Sequence, residues 1–249
     1  MDPLEAVAIG AAGIAAGAIN AVVGSGTLIT FPTLLAFGYP PVLANVSNNV
    51  GLVPGVLSGA YGYRRELKGQ RARLIRFGAA SLIGGLIGAL LLLQLPAEAF
   101  QSVVPALILT ACALVLLQPR LSRWAQQRQA REDGGAPLWV GVLATGVYGG
   151  YFGAAQGVLL MGLFGVFIRD TLQRLNAMKN VLASIVNGVA AVVFIAVSDV
   201  DWAVAGLIAA GSTVGGLLGS KVGRNLPPTV LRWVIVVVGT TASVIMIVR

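Results

Sequence analysis

Ten continuous apolar runs, at about residues 5–23, 26–37, 42–62, 74–94, 100–117, 138–155, 157–168, 180–198, 202–220 and 229–248, decide what this chain can become. Most have the ~20 residues that a ~30 Å hydrocarbon core demands of a helix. The runs are unbroken rather than alternating, which argues against a β-barrel. Only 10% of residues are charged, whereas a soluble domain carries about a quarter, so a water-exposed surface could not be covered. The fold class expected is all-α, a polytopic membrane protein. Two runs, 26–37 and 157–168, reach only ~18 Å as helix and read as half-spans or arms of re-entrant hairpins. Trp139, Trp202 and Trp233 stand near segment starts, where interfacial anchors belong.

The two short runs occupy corresponding places in the two halves, which predicts an internal repeat. Shifting the chain by 131 residues puts Asn45, Asn49 and Val50 on Asn176, Asn180 and Val181. The same shift puts Gly84, Gly85 and Gly88 on Gly215, Gly216 and Gly219, and Leu95-Pro96 on Leu226-Pro227. Nearer each start a shift of 129 aligns Gly17 with Gly146 and Gly24 with Gly153. The loops that follow equivalent segments differ in charge. Arg64, Arg65, Lys68, Arg71, Arg73 and Arg76 face Asp199 and Asp201, while Glu98 faces Lys221 and Arg224. By the positive-inside rule the halves then run upside down relative to each other. With five segments per half and the N-terminus outside, all of the 17 basic residues except Arg249 are expected in the cytoplasm. The expected division is repeat one over 1–117, a basic cytoplasmic linker over 118–137 and repeat two over 138–249.

The chain has no histidine and one cysteine, Cys112. That removes Ser-His-Asp and Cys-His catalysis, histidine metal ligation and any intrachain disulfide. All nine acids, among them Asp2, Glu5, Glu98, Asp170 and Asp201, fall at segment ends or in loops. No buried carboxylate is left to relay protons. Acids in MDPLEA where a signal peptide needs basic residues predict that the first apolar stretch is retained. The net charge of +8 is assigned to loop placement and not to a nucleic-acid surface. No cofactor or metal is called for, and an enzyme is not expected.

Two places can carry chemistry. Gly24-Ser25-Gly26-Thr27 interrupts two apolar segments, and its counterpart is Gly153-Ala-Ala-Gln156-Gly157. Such a break is either a loop at the membrane surface or, inside the membrane, must line a cavity or meet a ligand. The short helix after each break aims its positive end there, so two such ends predict an anion site near the midplane. Asn45 and Asn49 share one helical face, and Asn176, Asn180, Ser184 and Asn187 form a stripe in the second half. Carboxamides can donate to an anion without bringing a charge, or simply bond between helices. Lys179 aligns with Asn48 and supplies either a cation to this site or, with Arg174, a part of the cytoplasmic mouth; the mouth is preferred. Asn20, Tyr148 and Tyr151 are secondary candidates.

Read as a whole, the sequence resembles the sulfite exporter TauE/SafE family of membrane transporters. The resemblance is carried by Gly17-Ala-Ile-Asn-Ala-Val-Val-Gly24-Ser-Gly-Thr-Leu-Ile-Thr-Phe-Pro32, the loop Gly38-Tyr-Pro-Pro and Asn45-Val-Ser-Asn-Asn-Val-Gly-Leu-Val-Pro54. It implies carriage of a small sulfur-containing anion (sulfite, thiosulfate or an organosulfonate) across a bacterial inner membrane, with lipid around the helices. An anion channel and a membrane-embedded enzyme of sulfur metabolism are the alternatives. Association as a homodimer is left open.

Overall fold

A computed structural model describes residues 1–126 and 135–222, together with 233, 235–238, 240–241 and 243–244. The described residues are helical with no strand. The helices are α1 (Pro3–Val22), α2 (Thr27–Ala36), α3 (Pro41–Gly62), α4 (Arg71–Gln94) and α5 (Ala97–Gln126) in the first half. They are followed by α6 (Gly135–Tyr151), α7 (Gln156–Phe167), α8 (Leu172–Val197) and α9 (Trp202–Val222). Among the described residues five helices are long and apolar enough to cross a membrane: α1, α4, α8, Glu98–Leu117 within α5 and Trp202–Lys221 within α9. The chain is an all-α polytopic membrane protein. Most of the expected tenth segment, with Arg224, lies outside the described residues, as do Arg128, Arg131, Glu132 and Asp133 of the expected linker.

Local sequence sets the helix ends. Asp2 and Glu5 form a reciprocal capping box around Pro3, with Glu5 N–H donating to Asp2 Oδ1 at 2.7 Å and Asp2 N–H to Glu5 Oε2 at 3.2 Å. Thr171 caps α8 through its side chain. That cap starts α8 well before the apolar run at 180, and α5 runs past 117 into the expected linker. Apolarity marks the stretch that lipid can hold, whereas the helix goes on as far as good helix formers and caps allow.

Glycine sets how the helices meet. A Cβ on Gly84 or Gly88 of α4 would strike the carbonyls of Leu143 and Val147 on α6. One on Gly215 or Gly219 of α9 would strike those of Ile14 and Ala18 on α1. The glycines are mates under the shift of 131, and the carbonyls they touch are mates under the shift of 129. Gly85 likewise abuts Val186 of α8, and Gly216 its mate Gly55 of α3. Backbones approach this closely in membrane helices only over small residues.

The ends of α3 and α8 are tied in opposite senses. Ser47, near the start of α3, accepts from the Asp201 N–H after α8 at 2.9 Å. The turn after α3 meets the start of α8, where the Arg174 guanidinium donates to the Lys68 carbonyl at 2.9 Å. Asp170 joins Arg73 and Arg174 there, each at 2.8 Å. Burial works to raise the Asp170 carboxyl, but the Thr171 N–H and the two guanidiniums outweigh it and hold it below the usual value. At the other end Tyr39 donates to Glu5 at 2.6 Å. The described acids all lie at helix ends or in loops. Outward, α4 exposes Leu82, Ile83, Leu86, Ile87, Leu90 and Leu91.

Candidate functional site

Between α1 and α2 the chain breaks at Val23–Gly26, and between α6 and α7 at Phe152–Ala155. The residues of both breaks are buried except Gly153, which is half-buried. Gly24 turns with φ +86°, Gly153 with φ +80° and Ala155 with φ +60°. The last is a left-handed conformation that costs a residue with a Cβ roughly 1–2 kcal/mol. The breaks touch each other. Gly157 N–H donates to the Gly24 carbonyl at 3.1 Å, and a Cβ on either glycine would collide with the backbone of the other. Phe31 of α2 and Phe152 of the second break pack edge to face at 5.3 Å.

The short helices therefore start beside each other, with their positive ends converging. Part of their donor capacity is already used: Gly26 N–H donates to Asn20 Oδ1 at 2.7 Å, and Gly157 N–H to Gly24. Gln156 Nε2 and Ser25 Oγ, both buried, have no hydrogen-bond partner.

Asparagines brace the helices that end at the breaks. At the end of α1 the Ala21 carbonyl accepts from Asn176 Nδ2 at 3.1 Å and Asn180 Nδ2 at 3.3 Å. At the end of α6 the Tyr151 carbonyl accepts from Asn45 Nδ2 at 3.0 Å. Asn45 and Asn176, matched by the shift of 131, thus do the same job on opposite halves, satisfying carbonyls that a terminating helix leaves open. Asn49 Nδ2 donates to Asn187 Oδ1 at 3.1 Å and ties α3 to α8.

A cavity of about 10 Å³ lies where these parts meet, room for about one water. Gly24 and Gly153, Thr27 and Gln156, and Val56 and Asn187 line it. Each of these is a pair under the shifts of 129 or 131. Asn20, Gly157, Asn180 and Ala183 complete the lining. Of the residues singled out from sequence, Gly24, Thr27, Gln156, Gly157, Asn180 and Asn187 therefore reach the cavity. Gly26 and Ser25 sit in the break beside it, and Asn45, Asn49 and Asn176 stand behind as braces. Asn20, a secondary candidate, is in the wall. Val56 and Ala183 were not foreseen, although the shift from Asn187 leads to Val56.

Lys179 requires a correction. It does not share a mouth with Arg174: it is fully buried, and its Nζ donates to the Asn20 carbonyl at 3.0 Å and the Ala21 carbonyl at 3.4 Å. Five residues along a helix turn the side chain about 140°, so Arg174 faces Asp170 while Lys179 faces α1. Among the described residues no group of three His, Cys, Asp or Glu side chains could hold a metal ion.

The sequence profile described as "Sulfite exporter TauE/SafE" matches residues 9–246. A curated relative from Escherichia coli (strain K12), "Probable membrane transporter protein YfcA", is 27% identical over 92% of this chain and 84% of its own length. A "Probable membrane transporter protein" from Haemophilus influenzae is 28% identical over 90% of this chain and 88% of its own. "Probable membrane transporter protein ORF9" from Sinorhizobium sp. is 24% identical over 92% and 87%. No solved structure matches. With that match extending over both breaks, both asparagine helices and the cavity between them, the chain belongs to the sulfite exporter TauE/SafE family.

Proposed function

We propose that this protein is a secondary transporter that moves a small sulfur-containing anion, of the sulfite, thiosulfate or organosulfonate kind, across the bacterial inner membrane. The two halves, 1–117 and 138–249, act as inverted-topology repeats, with the basic loops in the cytoplasm. The observation that carries this reading is the cavity lined by repeat-related pairs at the meeting of two helix breaks. Its polar wall of Asn20, Thr27, Gln156, Asn180 and Asn187 holds donors but no carboxylate, which suits an oxyanion. The reciprocal glycine contacts and the opposed ends of α3 and α8 support the inverted relation.

The size of the cavity supports alternating access. A cavity of about 10 Å³ takes about one water, far less than a sulfonate, so loading requires the breaks to part. An open channel for the same anions would need a continuous path where Gly24 and Gly157 now touch. The match to a transporter family and to relatives named as membrane transporters favours a carrier over an enzyme. Proteoliposomes loaded with the purified protein test this. Uptake of radiolabelled thiosulfate or sulfite should saturate and be competed by methanesulfonate, while Asn187→Ala and Gln156→Ala should raise the half-saturating concentration. Flux that rises linearly with concentration would assign a channel, and absence of flux for every sulfur anion would refute the substrate class.

A further inference from the structure

Lys179 stands out once the braces are accounted for. Its neighbours in the brace, Asn176 and Asn180, do with neutral carboxamides what Lys179 does with an ionisable amine. Its mate in the other half, Asn48, is neutral too. The amine is fully buried and stands directly behind the cavity wall without lining it. Nζ is held by the carbonyl of Asn20, a residue of the cavity wall, while Cδ lies 3.0 Å from where a Cβ on Gly157 would stand.

The helices packed on α8 are α1, α3, α4, α6 and α7. Their charged side chains are Glu5 on α1 and Arg71, Arg73 and Arg76 in the first turns of α4. The tyrosines are Tyr61 on α3 and Tyr148 and Tyr151 on α6, α7 has no titratable side chain, and α8 adds Arg174. Arg73 and Arg174 bind Asp170 in the loop before α8, and Glu5 binds Tyr39 at the far end. Among the described residues no carboxylate comes within ion-pair distance of Lys179.

An ammonium carries three N–H donors, and a neutral amine two donors and a lone pair. Lys179 has two acceptors, the carbonyls of Asn20 and Ala21. These take both donors of the amine, whereas the ammonium would keep one N–H unbonded and have only the carboxyl end of α1 to offset its charge in a low-dielectric interior. An anion in the adjoining cavity supplies both missing parts, an acceptor oxygen and a negative charge.

On the reading that this cavity binds the transported anion, we infer that Lys179 is its proton-coupling group, an amine before the anion arrives and an ammonium while the anion is bound. On loading, a proton from solvent adds to the Nζ lone pair; on release the same proton leaves. No bond of the anion is made or broken. For a monoanion such as a sulfonate the loaded site is neutral, and each anion crosses with one proton. A dianion would cross with one net negative charge.

The test measures proton uptake on binding. Purified protein in detergent at pH 8 is titrated with thiosulfate and with methanesulfonate, neither of which titrates near that pH, and with sulfite. Calorimetry in buffers of different ionisation enthalpy reads the protons taken up. The wild type should take up about one proton per anion, and its affinity should weaken by up to about tenfold per pH unit as pH rises. Lys179→Arg, permanently charged, should bind without uptake, and Lys179→Gln should bind weakly and without uptake. Binding by the wild type with no proton taken up overturns the inference and leaves the anion site standing. Uptake that persists in Lys179→Gln also overturns it, because the proton then goes elsewhere. If the wild type binds none of the three anions, the anion site falls first and the coupling falls with it. The wild-type stoichiometry decides even if a variant does not fold.

Discussion

Gly157 donates its backbone N–H to the carbonyl of Gly24 across 3.1 Å, joining the two interrupted helices of opposite halves at one point. Neither residue can carry a Cβ in this arrangement, because each would drive it into the other's backbone. Both residues line the cavity.

The contact makes Gly24 a sharper test than its backbone angle alone. Gly24 and Gly38 both have φ +86°, but a Cβ on Gly38 would meet nothing within 4 Å. Gly38→Ala should therefore cost only the left-handed strain, roughly 1–2 kcal/mol. Gly24→Ala should cost clearly more and abolish transport, because the strain comes with a backbone collision. Thermal melting in detergent, with flux measured on whatever folds, separates the two. Equal losses would mean that the breaks do not meet as described.

A second expectation concerns the helix faces. Gly84→Val and Gly215→Val should damage folding to a similar degree, since each thrusts a side chain into a mated carbonyl, Leu143 or Ile14. Gly162, Gly188 and Gly206 are also helical, yet a Cβ on any of them meets open space. Their alanine variants should be neutral or slightly stabilising, by up to about 1 kcal/mol from helix propensity. Expression level and unfolding temperature of the five variants decide it.

These contacts show why so much was legible from sequence. The ungapped match of residue 45 onward with residue 176 onward falls on residues with like contacts in both halves: Gly84 and Gly215 press on carbonyls, and Asn45 and Asn176 brace helix ends. The breaks were visible because each short apolar run begins beside a glycine cluster. What Lys179 and the asparagines bind was not visible. Their acceptors, the carbonyls of Asn20 and Ala21 and that of Tyr151, are set by where α1 and α6 stop, over a hundred residues away along the chain. Hydropathy likewise could not place the start of α8, which depends on the Thr171 cap and on Asp170 holding Arg174.

Asp170 offers a test by pH. Its folded carboxyl is held below the ordinary value by the Thr171 N–H, Arg73 and Arg174, against the opposing effect of burial. A depressed carboxyl contributes stability that is complete above the unfolded value, about 3.9, and is lost as pH falls through the lower folded value. The contribution should therefore be flat from pH 5 to 8 and fade only in strong acid. Asp170→Asn should cost on the order of 1 kcal/mol near neutrality, less in high salt because the guanidiniums are partly exposed. It should also remove the acid-dependent part of the melting curve. A variant whose melting temperature still falls as steeply in acid as the wild type would show that other carboxylates carry that dependence.

The last expectation separates residues that hold the breaks from residues that face the cavity. Asn176 Nδ2 satisfies the Ala21 carbonyl, so Asn176→Ala leaves a buried acceptor with one donor fewer and should destabilise by about 1 kcal/mol. Gln156 is different, because its buried Nε2 donates to nothing within the protein and lies in the cavity wall. Gln156→Ala removes an unsatisfied donor, so the fold should be unharmed or slightly improved. Its loss should appear in anion binding instead, since a bond to a charged acceptor contributes about 1.5–3 kcal/mol, roughly ten- to a hundredfold in affinity. Melting curves with and without thiosulfate should show Asn176→Ala lowered in both and Gln156→Ala lowered only in the shift that thiosulfate produces. A Gln156→Ala protein that melts early but keeps the full shift would move the residue from the anion site to the scaffold.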